Sequence, residues 1–272
     1  MEQFSVLMSL YYKEKPEYFC QCMDSILTQT VLPDEIVIVK DGPLTKELEA
    51  ALKKYVDNNV ELYKIVPLEK NVGLGLALAE GIQHCSYNLV ARMDTDDIAI
   101  NTRFEEQLNE FAKNSELDIC GSHILEFEGT TKNIVAKRRV PLNDEDIKEY
   151  QKCRDAFNHM TVMYKKDMVL RAGNYQSCLL MEDSLLWVNI ILTGAVCKNI
   201  DKYLVYARVG KDMFERRGGW EYFKKYKEGR KRVYNTGYIS WWDYYLTLLI
   251  QFVVAIVPNS IRSLIFKKML RS

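Results

Sequence analysis

Residues 87–97 read Tyr87-Asn88-Leu89-Val90-Ala91-Arg92-Met93-Asp94-Thr95-Asp96-Asp97, a largely apolar run that ends in three carboxylates. The run predicts a buried strand. Carboxylates crowded at the end of a strand repel one another and lose hydration unless a cation lies between them. Mg²⁺ and Mn²⁺ take oxygen ligands and often share them with the phosphates of a substrate. The pattern therefore predicts a metal-assisted diphosphate site at the carboxyl end of a strand, where open α/β sheets bind ligands. A solvated acidic turn explains the three carboxylates equally well. The rest of the sequence is therefore needed to distinguish a metal site from such a turn.

Patterns typical of strands and helices alternate through roughly the first 125 residues. Apolar, β-branched runs predict strands at 4–10, 35–39, 62–66 and 88–93. Amphipathic spacing predicts helices at 16–27, after Thr45 as the capping residue, and at 74–84. This alternation predicts a parallel sheet with right-handed crossovers. Farther along, the pattern is less regular, and we expect helices at 142–156 and 185–192.

Size and charge limit the kind of protein. The 272 residues suffice for one large domain, or for one domain with an appendage. The formal net charge is zero, but residues 211–272 hold 13 Lys/Arg against 5 Asp/Glu, a local balance of +8. This asymmetry indicates a basic tail that faces an anionic partner, either nucleic acid or a membrane.

The seven cysteines form no recognisable disulfide framework, and no Cys-x-x-Cys pair indicates zinc. Reduced thiols in a reducing compartment fit this distribution best. The apolar stretch at 4–10 is too short for a signal peptide and lacks a preceding cationic region. We therefore expect a protein on the cytosolic side of the membrane.

The end of the chain has a different composition. Residues 241–257 are rich in Trp, Tyr, Leu and Val, but their uninterrupted apolar part covers only about a dozen residues, fewer than the roughly 20 that span a bilayer. After Pro258, a second helix is predicted, with Lys267, Lys268 and Arg271 on one side. Cations interleaved with apolar runs favour a segment in the membrane interface over a nucleic-acid-binding tail. Packing on the catalytic domain or on a second subunit is the alternative.

Three further features carry possible chemistry. Asp41, at the end of the second predicted strand, could accept the imide N–H of a uracil or bind a ribose hydroxyl, or it could form a turn. Glu182-Asp183 opens an apolar helix, where it could supply a general base or reflect the preference for acids at helix starts. Arg216-Arg217, followed by two glycines, suits a loop that closes over phosphates, or a solvated basic loop.

Together these features resemble the family-2 inverting glycosyltransferases of the GT-A fold, from about residue 3 to residue 220. The likeness is greatest to bacterial capsule, exopolysaccharide and O-antigen transferases of the amylovoran type. The matching segments are Ser5–Tyr12, Ser25–Thr30, Asp34–Gly42, Asn71–Leu74, Asp94–Asp97, His159–Met163, Gly173–Tyr175, Glu182–Trp187 and Arg216–Gly219.

The resemblance implies a nucleotide-sugar site and a divalent metal, Mn²⁺ or Mg²⁺. Asp41 would contact the base of a UDP-sugar, with Ser9 and Tyr11 lining the same pocket. Asp94 and Asp96 would form the DxD motif. Asp96 is the expected direct metal ligand, together with Asp94, and Asp97 competes closely with Asp96 for that role.

It also implies the groups that act on the acceptor and on the leaving group. Asp183 would be the catalytic base, supported by Glu182, and Arg216 or Arg217 would stabilise the departing UDP. The signature of processive synthases, Gln-x-x-Arg-Trp, is absent, which favours transfer of a single sugar.

The expected architecture is α/β, a Rossmann-like, mostly parallel nucleotide-binding sheet flanked by helices, with a C-terminal helical extension. Residues 1–235 would form the catalytic domain, divided into a nucleotide-sugar half (1–100) and an acceptor half (101–235). Residues 236–272 would be an apolar and basic membrane-associating tail on the cytoplasmic face of the cell membrane.

The expected enzyme is a hexosyltransferase that adds one sugar to a hydroxyl of a glycan or polyprenyl-linked acceptor and forms a β-glycosidic bond in surface polysaccharide synthesis. We expect no nucleic-acid partner, and a homo-oligomer is compatible with the sequence. A sugar nucleotidyltransferase is an alternative, but residues 9–15 lack the glycine-rich loop that this chemistry usually needs. A non-catalytic membrane-binding or sugar-binding module is the other alternative.

Overall fold

A computed structural model of the chain describes residues 2–178, 180–210 and 219–257. Its strands are β1 (Phe4–Leu10), β2 (Glu35–Lys40), β3 (Tyr63–Pro67), β4 (Leu89–Arg92), β5 (Ile98–Ala99), β6 (Leu117–Phe127), β7 (Ile134–Arg138), β8 (Met163–Lys165) and β9 (Val196–Arg208). Its helices are α1 (Pro16–Leu27), α2 (Lys46–Val56), α3 (Leu74–His84), α4 (Arg103–Lys113), α5 (Asp144–Gln151), α6 (Lys166–Arg171), α7 (Glu182–Leu192), α8 (Trp220–Asn235) and α9 (Trp241–Ile256).

One sheet runs through the described chain in the order β3-β2-β1-β4-β8-β6-β9-β5, with β7 added beside β6. The first four strands in this order are parallel. β8 pairs antiparallel with both β4 and β6, while β6 and β9 are parallel. The predicted α/β class with a parallel nucleotide-binding sheet is therefore confirmed, and β8 joins it to a mixed second half.

Helices cover both faces of the parallel strands, which explains why β1 and β2 are apolar at nearly every position. Val6 and Met8 face one core cluster, with α1 and α2, while Leu7 faces the other, with α3. The approach of α3 is close: a Cβ on Gly81 would stand 2.5 Å from side-chain atoms of Leu7 and Val39. Glycine at 81 therefore lets this helix lie directly on the sheet.

The sequence predicted most of these elements. Thr45 caps α2 by accepting the backbone N–H of Leu48, as expected. The helix expected at 142–156 is shorter, Asp144–Gln151. Beyond its end, the Gln151 side chain reaches forward and accepts the backbone N–H of Ala156.

Parallel strands place the ends of β1, β2 and β4 at one edge of the sheet, because Leu10 pairs with Lys40, and Leu7 pairs with Arg92 at the end of β4. The loops that follow these strands therefore begin beside one another. They carry residues 11–15, 41–45 and 93–97, the segments that hold the predicted nucleotide and metal ligands.

The C-terminal part of the described chain is a helical hairpin. A capping box at Ser240 and Asp243 starts α9, which packs on α7 and α8 through Tyr244 and Leu248. Its other face is exposed and apolar; Trp242 and Leu249 are 68% and 60% exposed. No helix within the described ranges is both long and apolar enough to cross a membrane. The helix predicted after Pro258 lies outside the described residues.

Candidate active site

A cavity of about 380 Å³ opens at the edge where β1, β2 and β4 end. The chain segments that follow these strands supply most of its wall, and the start of α3 supplies the remainder. It is lined by Ser9, Tyr11, Glu14, Asp41, Asn71, Gly73, Leu74, Asp94, Thr95 and Asp96. Five residues predicted from the sequence to bind the nucleotide or the metal thus share one cavity: Ser9, Tyr11, Asp41, Asp94 and Asp96.

Asp41 is buried and holds the loop that precedes α3. Its carboxylate accepts the backbone N–H groups of Val72 (2.7 Å) and Gly73 (3.1 Å) and the side-chain amide of Asn71 (2.9 Å). A Cβ on Gly42 would stand 2.6 Å from the backbone nitrogen of Asn71, so only glycine fits there. Asp41 therefore orders the cavity wall, and contact with a nucleobase stays a prediction.

The three carboxylates at the end of β4 have different surroundings. Asp94 accepts a hydrogen bond from the guanidinium of Arg92. Asp96 faces the cavity, whereas Asp97 is 3% exposed and accepts the backbone N–H of Arg208 at 2.7 Å. Asp94 and Asp96 are therefore the pair available to a ligand, and Asp97 fixes the loop to β9.

Burial, together with the neighbouring carboxylates Asp94 and Glu14, raises the pKa of Asp96 to about 7. Burial also raises the pKa of Glu14, which bonds Thr95 at 3.1 Å. A divalent cation would relieve this repulsion, so the oxygen ligands present fit Mg²⁺ or Mn²⁺. Among the described residues, no three Asp, Glu, His or Cys side chains are gathered as a complete metal cage. This also fits an ion that takes one or two carboxylates and completes its shell with phosphates and water.

Two buried arginines lie beneath the acidic loop. Arg103 donates to the carbonyl of Arg92 and to the side chain of Gln107, and burial lowers its pKa to about 9. Arg92 is 1% exposed, and its Nε and Nη1 have no hydrogen-bond partner within the described residues. These guanidinium groups place positive charge under three carboxylates, which lets the loop fold around them.

Arg208, at the end of β9, fastens the same loop from the outside. Its Nε donates to the carbonyl of Asp96 at 2.9 Å, and Nη2 donates to Gln21 at 2.7 Å. The guanidinium lies over the ring of Tyr18, 3.9 Å from the centroid. The loop is thus tied to α1 and β9 on the side from which the chain continues towards residue 211.

Glu182 and Asp183 begin α7, outside the lining of this cavity. Burial raises the pKa of Asp183 to about 7, with contributions from the carboxylates of Asp155 and Glu182, while Arg92 acts in the opposite direction. Asp155 is held in place by a hydrogen bond from Ser184. Oε2 of Glu182 is buried without a partner among the described residues. A carboxylate that titrates near neutral pH suits a general base.

Glu182 also lies close to the first cavity. A Cβ on Gly75 would stand 3.0 Å from the Cβ of Glu182, so the start of α7 packs on the start of α3. Gly73 and Leu74, which line the cavity, immediately precede this contact. The predicted base and the predicted nucleotide site are therefore neighbours, although residues far apart in the sequence form them.

Sequence reasoning missed several residues of the site and missed the role of others. Glu14 and Asp155 were not singled out, and Arg92 was quoted without a role. Glu14 could have been found because it follows β1 at the same sheet edge as Asp41 and Asp94. Asp155 has no comparable signal, because only the packing of α7 brings it to Asp183. Arg216 and Arg217 lie outside the described residues.

Comparison with known proteins gives consistent results. Residues 5–169 match the family described as "Glycosyl transferase family 2". The chain is 39% identical to the amylovoran biosynthesis glycosyltransferase AmsE of Erwinia amylovora, over 97% of this chain and 98% of that protein. It is 36% identical to the UDP-Gal:alpha-D-GlcNAc-diphosphoundecaprenol beta-1,3-galactosyltransferase of Escherichia coli, over 99% and 97% of the two chains.

Two solved structures share the fold at low sequence identity. S. aureus TarS 1–349 in complex with UDP-GlcNAc aligns with a TM-score of 0.63 and 16% identity, over 98% of this chain and 71% of that one. This chain spans 43% of a longer TarS chain. The Pyrobaculum calidifontis mannosyltransferase PcManGT in complex with GDP-Man and Mn²⁺ aligns with a TM-score of 0.64 and 13% identity, over 99% and 76%.

Proposed function

The chain belongs to glycosyl transferase family 2 and is a glycosyltransferase with the GT-A fold, and from this premise we propose an inverting transfer of one sugar from a UDP-sugar. The acceptor is a hydroxyl of a lipid-linked saccharide in bacterial surface polysaccharide synthesis, and the product is a β-glycoside. Support comes from a relative whose name includes UDP-Gal, a diphosphoundecaprenol-linked GlcNAc and a beta-1,3 linkage. A second relative is named for amylovoran biosynthesis.

One observation carries this proposal: a carboxylate with a pKa near 7 lies beside a cavity that other carboxylates line. Asp183, with its pKa raised to about 7, is available as a base at physiological pH, and the start of its helix packs on the start of α3, which borders the cavity that Asp96 faces. Asp183 takes the proton of the acceptor hydroxyl as its oxygen attacks the anomeric carbon. Direct attack of the acceptor oxygen on the anomeric carbon is a single displacement, and a single displacement inverts the configuration.

The donor is held by the cavity wall. Ser9 and Tyr11 line the nucleotide side, and Asp41 keeps the 71–73 loop in place for contacts with the base or ribose. Asp94 and Asp96 would hold a divalent metal, which would supply positive charge to the diphosphate as UDP departs. Arg216 or Arg217 is proposed to donate to the same phosphates.

The test is metal-dependent UDP release from a panel of UDP-sugars, with a lipid-diphosphate GlcNAc as acceptor. We expect transfer with one UDP-sugar, loss of transfer with EDTA, and a β-configured product by NMR. Formation of UTP from a UDP-sugar and added pyrophosphate, without release of UDP, would instead identify a nucleotidyltransferase. Absence of both donor binding and hydrolysis would leave only a non-catalytic module.

We also propose that α9 rests on the cytoplasmic face of the membrane. Its exposed face carries aromatic and aliphatic side chains, and the chain around it is basic. Such faces bind the interface between lipid headgroups and acyl chains. The exposed apolar residues are Trp241, Trp242, Tyr245, Leu246, Leu249, Ile250, Phe252, Val253 and Ile256.

Flotation with vesicles containing anionic phospholipid tests this placement. The double variant Trp242→Glu/Leu249→Glu should lose flotation, since both side chains are more than half exposed. A matched control is Leu32→Glu/Val60→Glu, at residues that are 57% and 65% exposed elsewhere on the protein. Equal flotation of the two double variants would contradict membrane binding by α9. A change in mass by light scattering without vesicles would instead indicate a dimer interface.

A further inference from the structure

A second cavity, of about 280 Å³, lies between α7 and the end of α8. Nothing in the proposed donor site uses it. Five of its six lining residues are polar or charged, and the sixth is leucine. The six are Gln176, Leu185, Asn189, Arg232, Asn235 and Thr236.

This cavity lies on the face of α7 that begins with Glu182, the residue next to the predicted base Asp183. Glu182, Leu185 and Asn189 follow one another at spacings of three and four residues, so they share one face of α7. The backbone oxygen of Gln176 stands 3.1 Å from the Cβ position of Gly75, beside Glu182. A molecule whose hydroxyl reaches Asp183 could therefore extend along α7 into the cavity, because the helix rises only about 1.5 Å per residue.

The charge of the cavity is set by Arg232. Its guanidinium donates to the backbone carbonyl of Ser177 and to the side-chain oxygen of Gln176, both of which are neutral. Within the described part of the chain, no carboxylate forms an ion pair with it. Burial raises the pKa of the nearby Cys178, and the positive charge of Arg232 acts against that rise.

Arg232 is the one charged side chain among the six that line the cavity, so an anion is favoured there, while the carboxylates of Glu182 and Asp183 lie outside the lining. The carbonyl end of α8 contributes about half a negative charge, less than the full charge of the guanidinium. The amides of Asn189 and Asn235 and the hydroxyl of Thr236 add neutral hydrogen-bond donors. A ligand with several acceptor oxygens and a negative charge matches this set, and phosphate is the common biological group with both properties.

The far side of the cavity leads towards the exposed helix. Asn235 and Thr236 end α8, and the chain turns at Gly237 into α9 within four residues. The cavity is thus bounded by α7, which begins with Glu182 and Asp183, and by the end of α8, from which the chain continues into α9. A lipid-linked saccharide has the same order of parts: a reacting hydroxyl, a diphosphate and an apolar tail.

We propose that this cavity binds the diphosphate of the lipid-linked acceptor, with Arg232 as its charged ligand. The inference rests on the proposed function, because it takes the acceptor class from there. It adds a subsite that fixes the distance between the membrane and the reacting hydroxyl. It also makes the diphosphate, as well as the terminal sugar, a determinant of acceptor choice.

The experiment compares two acceptors that differ only in the phosphates: GlcNAc joined to an undecyl chain through a diphosphate, and the same sugar joined through a simple glycosidic oxygen. Arg232→Gln removes one positive charge from the cavity and Asn235→Asp adds one negative charge, so each lowers the net charge there by one unit. Lys231→Gln makes the same change on an exposed neighbouring residue of α8. Asn235→Asp also guards against misfolding, since it leaves the contacts of Arg232 with Gln176 and Ser177 intact.

Both cavity variants should raise KM and the calorimetric dissociation constant for the diphosphate acceptor about tenfold, the size of one charge-assisted hydrogen bond. Values for the phosphate-free acceptor, for UDP binding and for Lys231→Gln should not change. Equal losses with both acceptors, or equal affinity of the wild-type protein for both, would overturn the proposal. The proposal would also be overturned if the cavity variants lost only their binding to anionic phospholipid vesicles. UDP binding and UDP-sugar hydrolysis report on the donor site separately, so failure of the proposed function is recognised independently of acceptor binding.

Discussion

Asp96 at the end of β4 and Asp183 at the start of α7 share a pKa near 7, yet their surroundings differ. Asp96 faces an open cavity, with Asp94 and Glu14 as neighbouring carboxylates, and two buried arginines lie under its loop. Asp183 adjoins Asp155 and Glu182, and one of its oxygens accepts the N–H of Ser184 at 2.8 Å. Repulsion can be relieved by a cation or by a proton. The open cavity favours the cation at Asp96, and burial beside the carboxylates of Asp155 and Glu182 favours the proton at Asp183.

The largest expected effect is on catalysis, and it distinguishes the base role of Asp183 from the metal-binding role of Asp96. Asp183→Asn should reduce kcat by about 10³-fold, the usual contribution of a general base, without changing the metal concentration for half-maximal activity. Asp96→Asn should lower activity similarly but raise that metal concentration. Titrations of activity with Mn²⁺ for both variants check the distinction. An altered metal requirement in Asp183→Asn would show that the two carboxylates form one site.

Removal of Arg92 should have the next largest effect. Arg92→Met leaves Asp94 without its ion-pair partner under a cluster of carboxylates, which should cost about 3 kcal/mol of unfolding free energy. Excess Mn²⁺ should restore part of this loss, because it supplies charge to the same oxygens. Arg103→Met is the matched control, since Arg103 bonds backbone carbonyls and its loss should be independent of metal. Urea denaturation with and without Mn²⁺ measures both.

A smaller effect concerns stability and pH. The folded pKa of Asp96 and of Asp183 lies above the unfolded value near 4, so the folded protein binds these protons more tightly. Stability from these groups is therefore full below about pH 4 and is lost as the pH rises through about 7. At pH 8 without metal, Asp96→Asn and Asp183→Asn should each stabilise the fold by roughly 1–2 kcal/mol. With Mn²⁺ present, Asp96→Asn should lose this advantage and Asp183→Asn should keep it, as thermal melting would show.

The smallest expected effect is a change in the pH profile. Asp155 raises the pKa of Asp183, so Asp155→Asn should lower it and move the acid limb of the kcat profile to lower pH. Amide replacement preserves the acceptor for Ser184. Glu14→Gln, the corresponding change beside Asp96, should leave this limb in place. An unchanged limb in Asp155→Asn would assign the titration to a group other than Asp183.

Periodicity predicted the four parallel strands and the acidic loop because each lies within one continuous segment. It missed β8, since three residues carry no measurable period, and it could not show that Met163–Lys165 would join the two halves of the sheet. The partners of Asp41 were also hidden. Its bonds to residues 71–73 depend on the packing of α3, so a turn-forming acid and a ligand-binding acid look alike in sequence.

The position of β8 has a consequence for protein engineering. Because β4 pairs with β1 on one side and β8 on the other, the predicted nucleotide-sugar half and the predicted acceptor half share one hydrogen-bonded sheet. Acceptor specificity could be exchanged between relatives by joining two parent sequences near residue 100. In such a hybrid, β4 would have to pair with a β8, and β5 with a β9, that comes from the other parent. Hybrids should therefore assemble best when residues 89–99 and 163–165 come from the same parent. The exchanged segment is then better limited to α7 and the helical hairpin, which carry Asp183 and the second cavity.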